Sequence, residues 1–139
     1  MSTSPHQILH PPHWARPRGY ANGIAARGTQ VFVAGQIGWD AQQRFVGVGL
    51  VTQTAQALRN ALEVLAEAGG RPEHVVRMTW YLTDLVAYHA ASRDLGQVYR
   101  ECMGTHYPAM SAVQVVALAE PDALVEIELT AVIPDDASA

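Results

Sequence analysis

Residues 51–82 read VTQTAQALRNALEVLAEAGGRPEHVVRMTWYL, and this stretch decides the fold class. Its first half has a helical period. Leu58, Leu62 and Leu65 recur at i, i+4 and i+7 with Val51, Ala55 and Ala61 beside them, while Gln56, Arg59 and Glu63 face away. Gly69-Gly70 and then Pro72 stop the helix, because glycine takes the left-handed turn that ends a helix and proline cannot continue one. From Val75 the period drops to two: Val76, Met78, Trp80 and Leu82 alternate with Val75, Arg77, Thr79 and Tyr81. The spacing predicts a helix over 51–68 and a strand over 75–82.

Working outward, Tyr20 to Arg27 and Gln30 to Gln36 are extended runs on either side of Gly28-Thr29, which predicts a hairpin with a type II′ turn. A second helix is expected from Leu85 to Met103, capped by Thr83 or Asp84, with Tyr88, Ser92, Leu95 and Tyr99 on one stripe. Strands near 111–118 and 124–134 follow. The order β-β-α-β-α-β-β predicts an α+β fold with two helices on one face of a single sheet. Val31, Phe32, Val33, Ala34, Val113, Val115, Val116 and Leu118 place apolar side chains on both faces of their strands. The face without helices therefore needs a cover, and closed homo-oligomerisation is the simplest one.

The 139 residues suit one domain with a core spanning about 6–134, and the stretches 1–5 and 135–139 read as frayed ends. With 49% hydrophobic and 16% charged residues, the composition excludes a disordered tail. A formal net charge of −4 without a basic run argues against nucleic-acid binding. Cys102 is the single cysteine, the N-terminal stretch lacks the apolar run of a signal peptide, and no window approaches a membrane span. A cytoplasmic, non-membrane protein is the expectation.

Several segments together resemble the RidA family (also YjgF, or L-PSP endoribonuclease). Gly19-Tyr20 is similar to its opening motif, and Val31-Phe32-Val33-Ala34-Gly35-Gln36-Ile37-Gly38 to its vfvSGQig segment. Gln53-Thr54 through Asn60, Val98-Tyr99, Tyr107-Pro108-Ala109-Met110-Ser111-Ala112 in the place of its PARS, and Val125-Glu126-Ile127-Glu128 follow in the family's order. The resemblance runs over roughly residues 15–134. It implies a chorismate-mutase-like fold and a homotrimer with ligand clefts between subunits. It also implies hydrolysis of reactive enamines and imines, with neither metal nor organic cofactor.

In that family the PARS arginine grips the substrate carboxylate and the first glutamate of VEIE positions water. Tyr20 and Glu126 carry over as the implied catalytic pair. The serine of SGQ is Ala34, the arginine is Met110, the residue after PARS is Ala112, and a helix asparagine is replaced by Gly96. With Ser111 these form the implied substrate-binding set, rebuilt as an apolar slot. A guanidinium makes two parallel charge-assisted hydrogen bonds to a carboxylate, each worth about 1.5–3 kcal/mol, and a thioether makes none. The expected ligand is therefore a neutral or masked-carboxylate enamine or imine. Glu126 acts there as general base if its surroundings raise its pKa.

Trp39, after a glycine-broken strand, is a candidate for the cleft rim and equally for a loop anchor. His6, His10 and His13 recur at i, i+4 and i+7, but Pro11 and Pro12 prevent a helix there, so no metal site is expected. Cys102 with His106 lacks an orienting third group for thiol catalysis. Two alternatives to a deaminase stand beside it: a non-catalytic trimer binding an apolar metabolite, and a ribonuclease, which the acidic balance disfavours.

Overall fold

The structure, a computed structural model, describes residues 4–135, so most of the expected frayed ends at 1–5 and 135–139 lies outside the described residues. Four strands form the main sheet in the order β3-β6-β4-β5: β3 Thr29–Gln36, β4 Val75–Leu82, β5 Ala109–Gln114 and β6 Val125–Ile133. Helices α1 (Leu50–Ala66) and α3 (Ser92–Met103) pack together over one face, with the short α2 (Leu85–Ala90) leading into α3. The α+β reading therefore holds, with helices on one face of the sheet. β4 spans the residues its period-two pattern predicts.

The core lies between α1, α3 and the sheet. Leu58, Leu65, Met78, Leu82, Val125 and Ile127 are fully enclosed there. Each large apolar side chain so buried contributes about 1.5–3 kcal/mol. Gln53 and Thr54 are buried on α1 as well, although the apolar period does not include them. Gln53 acts as a clamp: its Nε2 donates to the Asp122 carbonyl at 3.0 Å, and its Oε1 accepts from the Leu124 amide at 2.7 Å. This ties the first turns of α1 to the start of β6.

The expected hairpin does not form. β2 (Gly23–Ala25) pairs antiparallel with β1 (Gln7–Leu9) in a separate two-stranded sheet, and β3 pairs with β6. The longer strand wins the pairing because β6 carries Val125, Ile127, Leu129 and Ala131 into the core, whereas β1 and the end of β2 stay exposed. Gly28, at φ +143°, crosses beside the Ile133 carbonyl instead of reversing the chain onto β2. The expected second helix is divided at Ala91 (φ −96°, ψ 11°). Asp84 does cap its start, accepting from the amides of Val86 and Ala87. α2 buries none of its residues fully, so the core does not hold it in line with α3.

The helix-free face is mixed rather than uniformly apolar. Phe32 is 71% exposed there, but Arg77, Thr79, Tyr81, Glu126, Glu128 and Thr130 share the face. Val116 lies beyond the end of β5 and is fully exposed. β5, at the sheet edge, leaves Ser111 to Gln114 exposed. No helix among the described residues is long and apolar enough to cross a membrane.

Two histidines are built into the core side of the fold. His106 Nε2 donates to the Val75 carbonyl at 2.7 Å, and His74 Nδ1 accepts the Arg71 amide at 3.0 Å. Burial pushes both below the ordinary histidine value, with the Arg71 guanidinium adding to the effect on His74. In the unfolded chain they titrate near 6.5. The unfolded state therefore binds the proton more readily, so stability is full above about pH 6.5 and declines as the pH drops through that value. The urea midpoint is expected to fall between about pH 7 and pH 5. His106→Gln keeps a donor for Val75 and should flatten part of that slope; an equally steep slope in the variant would contradict the assignment.

Candidate active site

The residues singled out from the sequence fall into two groups. Met110 and Gly96 line one cavity of about 290 Å³ between α3 and the β4–β5 end of the sheet. Met110 stands opposite the buried Met78, so it looks toward the helices. On α3, Ser92, Leu95, Gly96, Tyr99 and Arg100 present one face to the cavity, at the i, i+3, i+4, i+7, i+8 spacing of a single helical stripe.

Aromatic rings form much of the rest. Trp80 meets Tyr88 edge-on at 6.1 Å, and Tyr99 stacks on Tyr107 at 5.1 Å with 13° between planes. The Tyr99 hydroxyl donates to the His106 carbonyl at 2.6 Å, which fixes the stack. Burial raises the pKa of both Tyr88 and Tyr99, so these are neutral walls.

Tyr20 is placed beside this cavity by the backbone. Its neighbour Ala21 donates to the Pro108 carbonyl at 2.9 Å and bridges in parallel to Ala109. Tyr20, Met110, Ser111 and Arg77 consequently share a recess of about 160 Å³. Ala112 lies opposite Trp80 on the exposed edge strand.

The second group lies on the helix-free face. β6 alternates from Val125 to Ala131, turning Val125, Ile127 and Leu129 inward, so Glu126 and Glu128 point outward together. A register shift between Val33 and Gln36 bulges β3 at Ala34-Gly35. Any Cβ on Gly35 would collide with the Glu126 carboxylate, so the glycine is a notch in which that side chain lies. Ala34 lines a groove on this face with Arg77, Thr79 and Glu128. The Tyr81 hydroxyl donates to Glu128 Oε1 at 2.6 Å, which raises the tyrosine's pKa and leaves Glu126 as the carboxylate of the pair without that partner.

One chain does not unite the two groups. Glu126 pairs with Tyr81 and Tyr81 with Val113, three residues beyond Met110. Strand spacing and rise put Glu126 and Met110 roughly 14 Å apart between backbones, with their side chains on opposite faces. Trp39 joins neither group. It sits in the loop after β3, tilted against Phe45 at 5.9 Å, with its carbonyl held by Asn60 Nδ2 at 2.8 Å. That geometry makes Trp39 a loop anchor.

Comparison with known proteins decides the family: a model of endoribonuclease L-PSP matches residues 14–133. The chain belongs to the endoribonuclease L-PSP family. It is 41% identical to a RutC family protein of Synechocystis over 117 residues, 83% of this chain and 86% of that protein. It is 31% identical to human 2-iminobutanoate/2-iminopropanoate deaminase over 103 residues, covering 73% and 72% of the two chains. The crystal structure of a conserved Rid family protein from Yersinia pestis superimposes with a TM-score of 0.82 at 32% identity, covering 92% of this chain and 98% of that one. The fold expected from the resemblance is thereby the fold observed.

Within this L-PSP fold, sequence reasoning missed three cations. Arg18 and Arg100 line the Met110 cavity, and Arg77 lies between the outer groove and the Tyr20 recess. Arg100 was accessible to pattern reading, since it stands four residues after Gly96 on the same helical stripe. Arg18 was not, because only the bridge at Ala21 carries the opening segment to β5. Cys102 is half-buried on α3, and burial raises its thiol pKa, the reverse of nucleophile activation.

The notch makes a prediction. Gly35→Ala should destabilise the fold by about 1–3 kcal/mol through overpacking against Glu126. Adding Glu126→Ala should recover most of that loss, giving a strongly non-additive double-mutant cycle in urea unfolding. Additive effects would show that the two residues do not meet.

Proposed function

We propose that the protein is a hydrolytic enamine/imine deaminase that works at clefts between copies of a homotrimer. The observation that carries the reading is the division of the site. The Gly35 notch holds a carboxylate on one sheet face, and an aromatic cavity opens on the other, beyond reach within one chain. A second copy that docks its helix-free face near the β5 edge of the first brings both halves to one ligand. The exposed edge of β5 and the exposed Phe32 favour such an assembly, since an unpaired strand edge and a bare aromatic are both poor surfaces to leave in water.

In the proposed reaction Glu126 accepts a proton from water as its oxygen bonds to the C=N carbon. Glu126 returns that proton to the nitrogen to give the carbinolamine, then carries the carbinolamine hydroxyl proton to the amino group as the C–N bond breaks, releasing ammonia and leaving a carbonyl. Tyr20, at the mouth of the Met110 recess, positions the substrate. The human relative's name gives 2-imino acids as its substrates; here Met110 offers no hydrogen bond where the family's arginine would grip their carboxylate. The end of the substrate that meets Met110 is therefore neutral or masked, on a flat apolar body that suits Trp80 and the tyrosines. Ser111, Ala112 and Ala34 shape the cleft without charge. A cytoplasmic setting and a single domain belong to the same reading.

A second reading, a binding trimer without catalysis, is favoured by the scarcity of reacting groups in the cavity wall. Ammonia release from a panel of neutral cyclic and aromatic enamines separates the two. The deaminase should accelerate at least one of them, and Glu126→Gln should cut the rate by about 10²–10⁴-fold. Ammonia release unaffected by that change would refute the role of Glu126. Light scattering should give three times the chain mass; a monomer with full activity would refute the shared cleft.

A further inference from the structure

The cavity behind Met110 is positively charged and lacks any counter-charge of its own. Arg18 and Arg100 line it, and no aspartate or glutamate does. The chain as a whole carries a formal charge of −4, so two cations facing an aromatic cavity run against its average. Among the described residues neither guanidinium makes a hydrogen bond or ion pair with another side chain.

The way Arg100 is held is informative. A Cβ at Gly96 would stand 3.3 Å from Arg100 Nη1, so the guanidinium folds back along α3 and over the glycine. Long side chains on a helix lean toward its N-terminus, which is the direction of the cavity here. Gly96 thus does more than remove a polar group: it clears the space that the arginine four residues later occupies. Behind the cavity, Trp80 Nε1 is buried and has no acceptor among the described residues, so the wall offers donors and flat apolar surface but no carboxylate.

We infer that Arg100, assisted by Arg18, is the anion grip of this cavity, and that its ligand is a flat, aromatic or cyclic carboxylate. The charged end is held at the α3 wall and the apolar end meets Met110. The family's charge recognition has on this account moved from β5 to α3 rather than disappeared. This rests on the proposed function only in taking the Met110 cavity as the substrate site, and it does not depend on Glu126 chemistry.

The test compares 2-naphthoate with its neutral isostere 2-naphthamide, by titration calorimetry on the full chain. The wild type should bind the carboxylate at least about tenfold more tightly, and added salt should weaken that preference. Arg100→Gln should cut naphthoate affinity by about tenfold or more and leave naphthamide unchanged. Arg100→Lys should restore part of the loss, because the charge returns without the planar fork. Arg18→Gln should act in the same direction with a smaller effect. Arg100 is exposed, so these variants are expected to fold. Equal affinity for the two probes, an equal loss of both in Arg100→Gln, or no naphthoate binding at millimolar concentration would each overturn the inference. Ammonia release from neutral enamines is scored apart. Anion selectivity can fail while Glu126-dependent hydrolysis persists, and the reverse outcome condemns only the deaminase reading.

Discussion

Strand β6 runs through the middle of the sheet, hydrogen-bonded to β3 on one side and β4 on the other. A strand in that position has no freedom to slip, because a one-residue shift would turn Val125, Ile127, Leu129 and Ala131 out of the core. The same constraint aims Glu126 and Glu128 at the opposite face. Burial on one side of β6 therefore places the carboxylates on the other, and the bulge at Ala34-Gly35 gives Glu126 a seat. The placement of both carboxylates is thus a by-product of core packing.

Much of this was readable in the chain, for definite physical reasons. The α1 stripe and the β4 alternation are strong local periodicities, and both elements appear where those periods put them. The Gly28-Thr29 signal was local as well, but the pairing of β3 is settled by which partner buries more apolar surface, and β6 lies almost a hundred residues away. No window around Gly28 contains that information. The break at Ala91 escaped for a similar reason, since the apolar stripe continues through it and only the packing is interrupted.

The site shows the same boundary between local and distant information. The resemblance supplied Glu126, Tyr20, Met110 and Gly96 one by one, but the opposite facing of Glu126 and Met110 follows from strand register alone. Counting the lost polar groups suggested an uncharged slot. In three dimensions the cavity is lined by two arginines, one from the opening segment and one from α3. A substitution in a motif reports what left a position; it is silent on what other elements have brought to the same space.

The central position of β6 also bears on how the protein is made. It is the last strand in chain order among the described residues, yet it separates β3 from β4, and the Gln53 clamp joins α1 to its start. A ribosome that has released β3, α1, β4 and α3 has released a helix layer and two strands with no shared neighbour to join them. The sheet cannot close until residues 125–133 emerge. Until then the inward residues of β3 and β4 stand open, and non-local pairing of this kind is slow and prone to aggregation. Closure of the sheet thus waits for the release of β6, and a nascent chain stalled before it is a natural client for a chaperone.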